Sequence, residues 1–245
     1  EVAFSLMLLT GAGLLLHSFW NLTRVDPGFD PKHVVTANIW LPVPNDPAQF
    51  RYGRPAARNA FMREVLRRAR LLPGVEAAAI GNGNSTPLTG FNTAAFLPEG
   101  STAAPGERPV AQAANVTPDF FRALGIRIQR GRVFTDADDL GGNQVAVVDE
   151  TLARRVWPGQ DAIGKRIGLG RRPDWLTVVG VVGALKSETF EAPDVPHIYF
   201  PAYQRSNVSM TVFLRTGGNP LAMVDSLRRA VKVADPDLPV FGART

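Results

Sequence analysis

The 245 residues include no cysteine. That absence excludes a disulfide framework and a thiolate metal site, and it leaves the redox compartment unread. Histidine is nearly as scarce. His17, His33 and His197 lie far apart, and none has a metal-ligand spacing to another. Ser85, Ser187 and Ser209 lack the G-x-S-x-G elbow of a hydrolase nucleophile. Lysine is almost missing: arginine outnumbers it 23 to 4 in a chain of net charge +5, a bias that reflects genomic base composition more than a need for bidentate pairing. The basic residues are scattered, densest at Arg63, Arg67, Arg68 and Arg70 and at Arg171-Arg172. No aromatic platform is interleaved with them and no helix-turn-helix appears, so they read as solvated helix faces, with anionic lipid headgroups a better partner than nucleic acid.

Charge of either sign is missing from the start. From Val2 to Thr23, 22 residues contain no Asp, Glu, Lys or Arg. As a helix they rise roughly 33 Å at about 1.5 Å per residue, close to the hydrocarbon thickness of a bilayer. A secretory signal peptide would need a basic start and an Ala-x-Ala site, and neither is present. A buried core helix is the second alternative, because the strictly apolar run Val2–Leu16 is only 15 residues long and contains Ser5 and Thr10. The reading adopted is a transmembrane helix over 1–23, clipped at its start, with Phe4, Leu8, Leu9 and Leu15 as membrane-inserting side chains. Phe19 and Trp20 serve as an interfacial anchor, and Gly11 and Gly13 permit close helix approach. The chain opens on Glu1 rather than Met and reads as a piece of something longer.

The remainder of the chain is ample for a hydrophobic core. Val34–Leu41 is β-branched and closed by Pro42 and Pro44, which predicts a strand. Phe61, Val65, Ala69 and Leu72 recur at helical spacing over 56–72, and Pro73-Gly74 stops that helix before a strand at Val75–Ile80. The same order returns near the end. A strand at Met210–Arg215 precedes Asn219 as N-cap and Pro220 at the first helical position, then a stripe of Leu221, Val224, Leu227 and Val231, then a strand from Leu238. Both helices carry Leu-Arg-Arg-Ala, at 66–69 and 227–230. Two such units build one β-α-β-β-α-β layer of the ferredoxin type. The fold class expected is therefore α+β: a ferredoxin-like lobe from 24–80 and 206–245, with a large, mostly β lobe inserted at 81–205. Within the insertion, Thr117 is expected to cap a short helix that ends at Gly125, Arg130-Gly131-Arg132 to form a turn, and Asp149 to cap a helix over Glu150–Val156.

Sharper motifs dissolve on inspection. Gly159-Gln160-Asp161-Ala162-Ile163-Gly164-Lys165 has phosphate-loop spacing, but Arg166 stands where Ser or Thr is needed and a strand, not a helix, comes after it. Asp136, Asp138 and Asp139 with Glu150 lack the glycine and terminal glutamate of a calcium loop. Phe120-Phe121 and Trp157 read as core anchors. No catalytic, cofactor-binding or metal-ligating residue is assigned.

In order, the chain shows Gly11-Ala12-Gly13-Leu14-Leu15-Leu16-His17-Ser18-Phe19, Val25-Asp26-Pro27-Gly28-Phe29-Asp30, Leu72-Pro73-Gly74-Val75-Glu76, Arg130-Gly131-Arg132-Val133-Phe134, Val147-Val148-Asp149-Glu150-Thr151-Leu152-Ala153, Gly164-Lys165-Arg166-Ile167, Val178-Val179-Gly180-Val181-Val182-Gly183 and Asp235-Pro236-Asp237-Leu238-Pro239-Val240. This ordered set resembles the extracytoplasmic core domain of MacB-like, FtsX-type ABC transporter permeases, and its opening resembles the second copy in permeases that carry the domain twice. The resemblance implies a membrane-proximal porter lobe and an inserted sabre lobe, held in the bacterial inner membrane with the main domain periplasmic. It implies membrane lipid around the N-terminal helix, a separate cytoplasmic ATPase, a periplasmic adaptor, and a dimer or intramolecular pseudo-dimer. Its implied activity is transport or mechanotransmission without catalysis and without a cofactor. The alternative kept beside it is a membrane-anchored extracytoplasmic sensor or binding domain. A membrane-anchored hydrolase ranks last.

Overall fold

The computed structural model describes residues 5, 9–17, 20, 27–82, 92–171, 173–185 and 195–245. In chain order the elements are β1 (Val34–Trp40), α1 (Pro55–Arg70), β2 (Val75–Asn82), β3 (Asn92–Pro98), β4 (Val110–Val116), α2 (Phe120–Leu124), β5 (Ile128–Gly131), β6 (Val145–Asp149), α3 (Glu150–Val156), β7 (Arg166–Leu169), β8 (Asp174–Val182), β9 (His197–Pro201), β10 (Ser209–Thr216), α4 (Val224–Ala234) and β11 (Val240–Arg244). The result is a mixed α/β fold.

The terminal portions of the chain form a four-stranded antiparallel sheet in the order β11-β1-β10-β2. Alternation along β1 puts Val35, Ala37 and Ile39 on one face. There they meet Phe61, Met62, Val65, Leu66 and Ala69 of α1 and Val224, Leu227 and Val231 of α4. Each of the larger of these side chains, fully buried, contributes about 1.5–3 kcal/mol, and the alanines less. Pro55 begins α1, and Arg67, Arg68 and Arg70 sit in its last turn, where the helix dipole favours cations.

The inserted portion closes on itself. β4 pairs β3, β3 pairs β7, β7 pairs β8, β8 pairs β6, β6 pairs β9, and β9 returns to β4. This six-stranded ring is a barrel, and closure removes the sheet edges that would invite foreign pairing. Its interior is filled by one or two inward residues from every strand: Phe96, Ala111, Ala113, Ala146, Val148, Ile167, Leu176, Val178, Ile198 and Phe200. Leu152 of α3, Trp157 and Ala162 pack into the same cluster. β5 pairs the last residues of β8, Gly180 to Val182, past those that meet β7. The sequence indicates a mostly β insertion but carries no information about closure.

Several local expectations need correction. Thr117 does not cap α2; its hydroxyl accepts the Ile80 N–H at 2.8 Å instead, and Asp119 stands at the cap without a side-chain bond. Arg130-Gly131-Arg132 is not simply a turn, because Arg130 and Gly131 belong to β5 and pair Val181 and Gly180. Asn219 does accept the Leu221 N–H at 3.1 Å, but it opens a 3-10 turn over Pro220–Met223 before α4 begins. Leu221 leaves the predicted stripe and is 55% exposed. The last strand starts at Val240, since Leu238 is buried in the helix-side core. Gly125 ends α2 as expected, in the left-handed conformation at φ 68°.

Residues 9–17 are helical, with Leu9, Leu14, Leu15 and Leu16 69–76% exposed. Phe4 and Leu8 lie outside the described residues, as do Phe19, Ser85, Ser187 and most of the glycine- and asparagine-rich stretch 81–90. Among the described residues no helix is long and apolar enough to cross a membrane.

Candidate functional site: the junction of barrel and sheet

Sheet and barrel meet where β2 touches β4 through one residue pair, Gly81 opposite Val116. The Thr117 N–H donates to Ile80 O at 2.9 Å, and Asn82 Oδ1 accepts the Asn115 N–H at 2.7 Å. A β-carbon on Gly81 would lie 3.2 Å from the Phe213 ring and 3.5 Å from the Phe120 ring. A larger side chain there would crowd the aromatic rings behind the seam.

Behind this seam α2 lies on the sheet face opposite α1 and α4. Phe120 meets Phe213 of β10 edge-on at 5.2 Å and Phe121 at 5.7 Å, and Phe121 meets Tyr199 of β9 at 5.0 Å. Val34, Ala77 and Ala79 from the sheet and Val116, Phe134, Val145 and Val147 from the inserted portion complete one cluster. It belongs to both halves of the molecule. Edge-to-face aromatic pairs add about 0.5–1.5 kcal/mol each beyond their burial.

Ion pairs rim the cluster. Arg70 reaches Asp119 at 3.0 Å, and Arg63 reaches Asp136 at 3.5 Å and Asp139 at 3.8 Å. Arg63 also lies 4.1 Å above the Tyr203 ring. Arg122 donates to Glu76 O across the seam. An open groove of about 540 Å³ runs between these groups, lined by Arg70, Glu76, Pro118, Asp119, Arg122 and Asp136.

The segment leading into β1 is clamped at the same place. Gly28, at φ 80°, packs so closely on Ala184 that a β-carbon would meet its carbonyl oxygen at 1.9 Å. The Asp30 N–H donates to Leu124 O at 2.8 Å. Arg215 of β10 reaches Asp30 Oδ2 at 2.9 Å, Asp30 O at 2.8 Å and Ala123 O at 2.8 Å. Burial pushes the Asp30 carboxyl up, but the Lys32 amide and Arg215 together hold it below the usual carboxylate value. Residues 27–33 are therefore bonded to the sheet and to the inserted portion at once.

The other candidates do not converge. His33 contacts Gly218 O at 3.3 Å, and His197 is buried beside Asp149 Oδ2 at 3.3 Å, far along the chain from it. Asp149 caps α3 through Leu152 N–H at 2.8 Å, as expected. Asp138 is buried under Arg132, whose guanidinium bonds it at 2.7 and 3.0 Å, and it accepts the Thr135 N–H at 2.8 Å. Burial raises the Asp138 carboxyl, yet Arg132 and Thr135 outweigh it and hold the group low. Asp136, Asp139 and Glu150 pair elsewhere, and among the described residues no three acidic or histidine groups are placed to hold a metal. The Gly159–Lys165 stretch joins α3 to β7 and presents no helix N-terminus after it. Its neighbouring cleft of about 450 Å³ is floored by Trp157, and its charges pair locally, Arg130 with Asp161 and Arg154 with Glu150.

A profile of the MacB-like periplasmic core domain matches residues 21–230. The chain belongs to that family. As a MacB-like domain it is 32% identical over 63 residues to the macrolide export ATP-binding/permease protein MacB of Aggregatibacter actinomycetemcomitans, a match covering 26% of this chain and 10% of that protein. It is 26% identical over 83 residues to the uncharacterized ABC transporter permease YknZ of Bacillus subtilis (strain 168), covering 34% and 20%. The chain thus spans only a small part of the length of these relatives. The periplasmic region of MacB from Actinobacillus actinomycetemcomitans shares the fold at TM-score 0.53 and 15% identity, covering 88% of this chain and 90% of that one. The extracellular domain of the transporter YknZ from Gram-positive bacteria does so at TM-score 0.52 and 14% identity, covering 85% and 100%. Sequence reading found Phe120-Phe121 as core anchors. It missed the MacB-like domain's junction, because Gly81 meets Val116, and Arg63 meets Asp136, only after folding. The one usable signal was Phe213, which alternates away from Val212 and Leu214 and so needs a partner on the second face of its strand.

Proposed function

We propose that this chain is the periplasmic domain of a MacB/FtsX-type ABC transporter permease in the bacterial inner membrane. The terminal sheet with α1 and α4 is its porter lobe and the barrel its sabre lobe. The uncharged stretch Val2–Thr23 spans the membrane as its first helix, with Phe4, Leu8, Leu9 and Leu15 against lipid. The domain is non-catalytic and binds no cofactor. A separate cytoplasmic ATPase hydrolyses ATP, and the first helix passes its movement through residues 27–33 into the periplasmic lobes, for export or mechanotransmission. A periplasmic adaptor and a second copy, or a duplicated half, complete the assembly.

The observation that carries this reading is the clamp on residues 27–33. A mere anchor needs only a tether, whereas here Gly28, Asp30 and Arg215 tie the segment leaving the helix to both lobes. Rigid-body movement of packed units is the form such coupling takes. The test is hydrogen exchange on the full permease with its ATPase, with and without vanadate-trapped nucleotide. Exchange changes over 27–33, while ATP given to this chain alone changes nothing. Nucleotide binding by the isolated chain, or an unchanged pattern in the trapped permease, contradicts the proposal.

A further inference from the structure

One end of the terminal sheet collects three loops. The Thr216 N–H donates to His33 O at 2.8 Å, the Gly217 N–H donates to Gly74 O at 3.0 Å, and Thr36 Oγ1 reaches Arg244 O at 3.3 Å. The turn after α1, the turn after β10 and the segment entering β1 are therefore one surface. Two of these loops hold no charge at all: Leu71–Val75 and Gly217–Val224. Each displays a leucine to solvent, Leu71 at 72% and Leu221 at 55% exposure. Exposed Lys32 and Arg244 stand at this same end with His33, and Arg70 is held by Asp119, against the acids Glu76 and Asp225 and the arginine-paired Asp30. Large aliphatic side chains on uncharged loop tips, with the cations Lys32 and Arg244 at the same end, suit the boundary between acyl chains and anionic headgroups.

The geometry points to this end of the sheet as a lipid-docking surface: Leu71 and Leu221 insert into the outer face of the membrane beside the first helix. The inference rests on the proposed membrane span of Val2–Thr23, because that segment enters the lobe at this same end. Docking at two further points converts a single tether into a seat. The sheet then cannot swing about residues 27–33 without lifting leucines out of lipid.

The absence of cysteine makes the test direct. Single variants Leu71→Cys, Leu221→Cys, Leu9→Cys and Leu140→Cys of the full chain are labelled with a polarity-sensitive fluorophore and reconstituted into phosphatidylethanolamine vesicles containing phosphatidylglycerol. Leu140 is the control, an exposed leucine of the inserted portion, 49% accessible. Probes at 71 and 221 shift to the blue and are quenched by lipids spin-labelled near the headgroup. The probe at 9 is quenched by lipids labelled deep in the chain, and the probe at 140 by neither. If 71 and 221 behave as 140 does while 9 is quenched, the docking inference is overturned and the span stands. If 9 is not quenched either, the membrane reading fails and docking falls with it. A probe at Ala222 is quenched near the headgroup in the parent chain and released in the Leu71→Asp/Leu221→Asp background. Quenching there that persists in that background overturns the role given to the leucines.

Discussion

Truncating Phe120 should do more than weaken the protein; it should uncouple its halves. The ring is 1% exposed and touches Phe121, Phe213 and Tyr199, so it contacts the sheet and the barrel together. Phe→Ala in a packed core costs about 3–5 kcal/mol, through lost transfer energy and the cavity left behind. For a chain of this size that lowers Tm by ~6–20 °C, at ~2–4 °C per kcal/mol. Phe96→Ala is the matched control. Phe96 is equally buried but lies in the barrel interior, away from the seam. Both variants should lose similar stability. Only Phe120→Ala should split one calorimetric transition into two, because the sheet keeps its own helix-side core and the barrel its own interior. A single sharp transition in Phe120→Ala, or a split in Phe96→Ala instead, refutes the claim that the aromatic cluster joins the halves.

Gly81→Val should cost about 1–3 kcal/mol by overpacking against Phe213 and Phe120; chemical denaturation reads it, and Phe213→Leu should restore part of the loss. Asp138→Asn should cost about 2 kcal/mol, the scale of hydrogen bonds to a charged group, at neutral pH. Because the folded-state carboxyl of Asp138 is held below its unfolded value of 3.8, its contribution is complete above that pH and fades as pH falls through the lowered folded value. The wild type and Asp138→Asn should therefore converge in stability in strong acid. Arg63→Ala should cost no more than about 1–2 kcal/mol, since its acidic partners are largely solvated and the Tyr203 contact supplies much of its effect. Added salt should change that cost little.

Periodicity made the terminal sheet legible. Phe61, Val65 and Ala69 on one helix and Val224, Leu227 and Val231 on the other carry a 3.6-residue repeat, and β1 carries alternation, so element type and facing could be read directly. Capping chemistry placed Asp149 and Gly125 correctly for the same reason: both act on their own neighbours. Thr117 shows where such reasoning stops. A threonine before proline has the signature of an N-cap, but an unpaired amide of Ile80, 37 residues away in sequence, competes for its hydroxyl and wins. Barrel closure is of the same kind, because β4 pairing β9 in parallel leaves no mark on either strand alone. The junction was the least legible part, since its defining contacts join residues dozens of positions apart, such as Ile80 with Thr117 and Phe120 with Phe213. In the sequence Leu221 belongs to a helical stripe and Leu71 falls within the helix expected over 56–72; only the bond from the Gly217 N–H to Gly74 O puts their loops side by side.

The central claim is that residues 27–33 drive sheet and barrel as one body. Pulsed electron spin distance measurements on the full permease test it most directly, with nitroxides at exposed Arg54 and Gly106 within the chain and a second pair at Trp20 and Gly106. Between nucleotide-free and vanadate-trapped states the Arg54–Gly106 distance should hold constant while the Trp20–Gly106 distance changes. A changing Arg54–Gly106 distance with a fixed Trp20–Gly106 distance would contradict it.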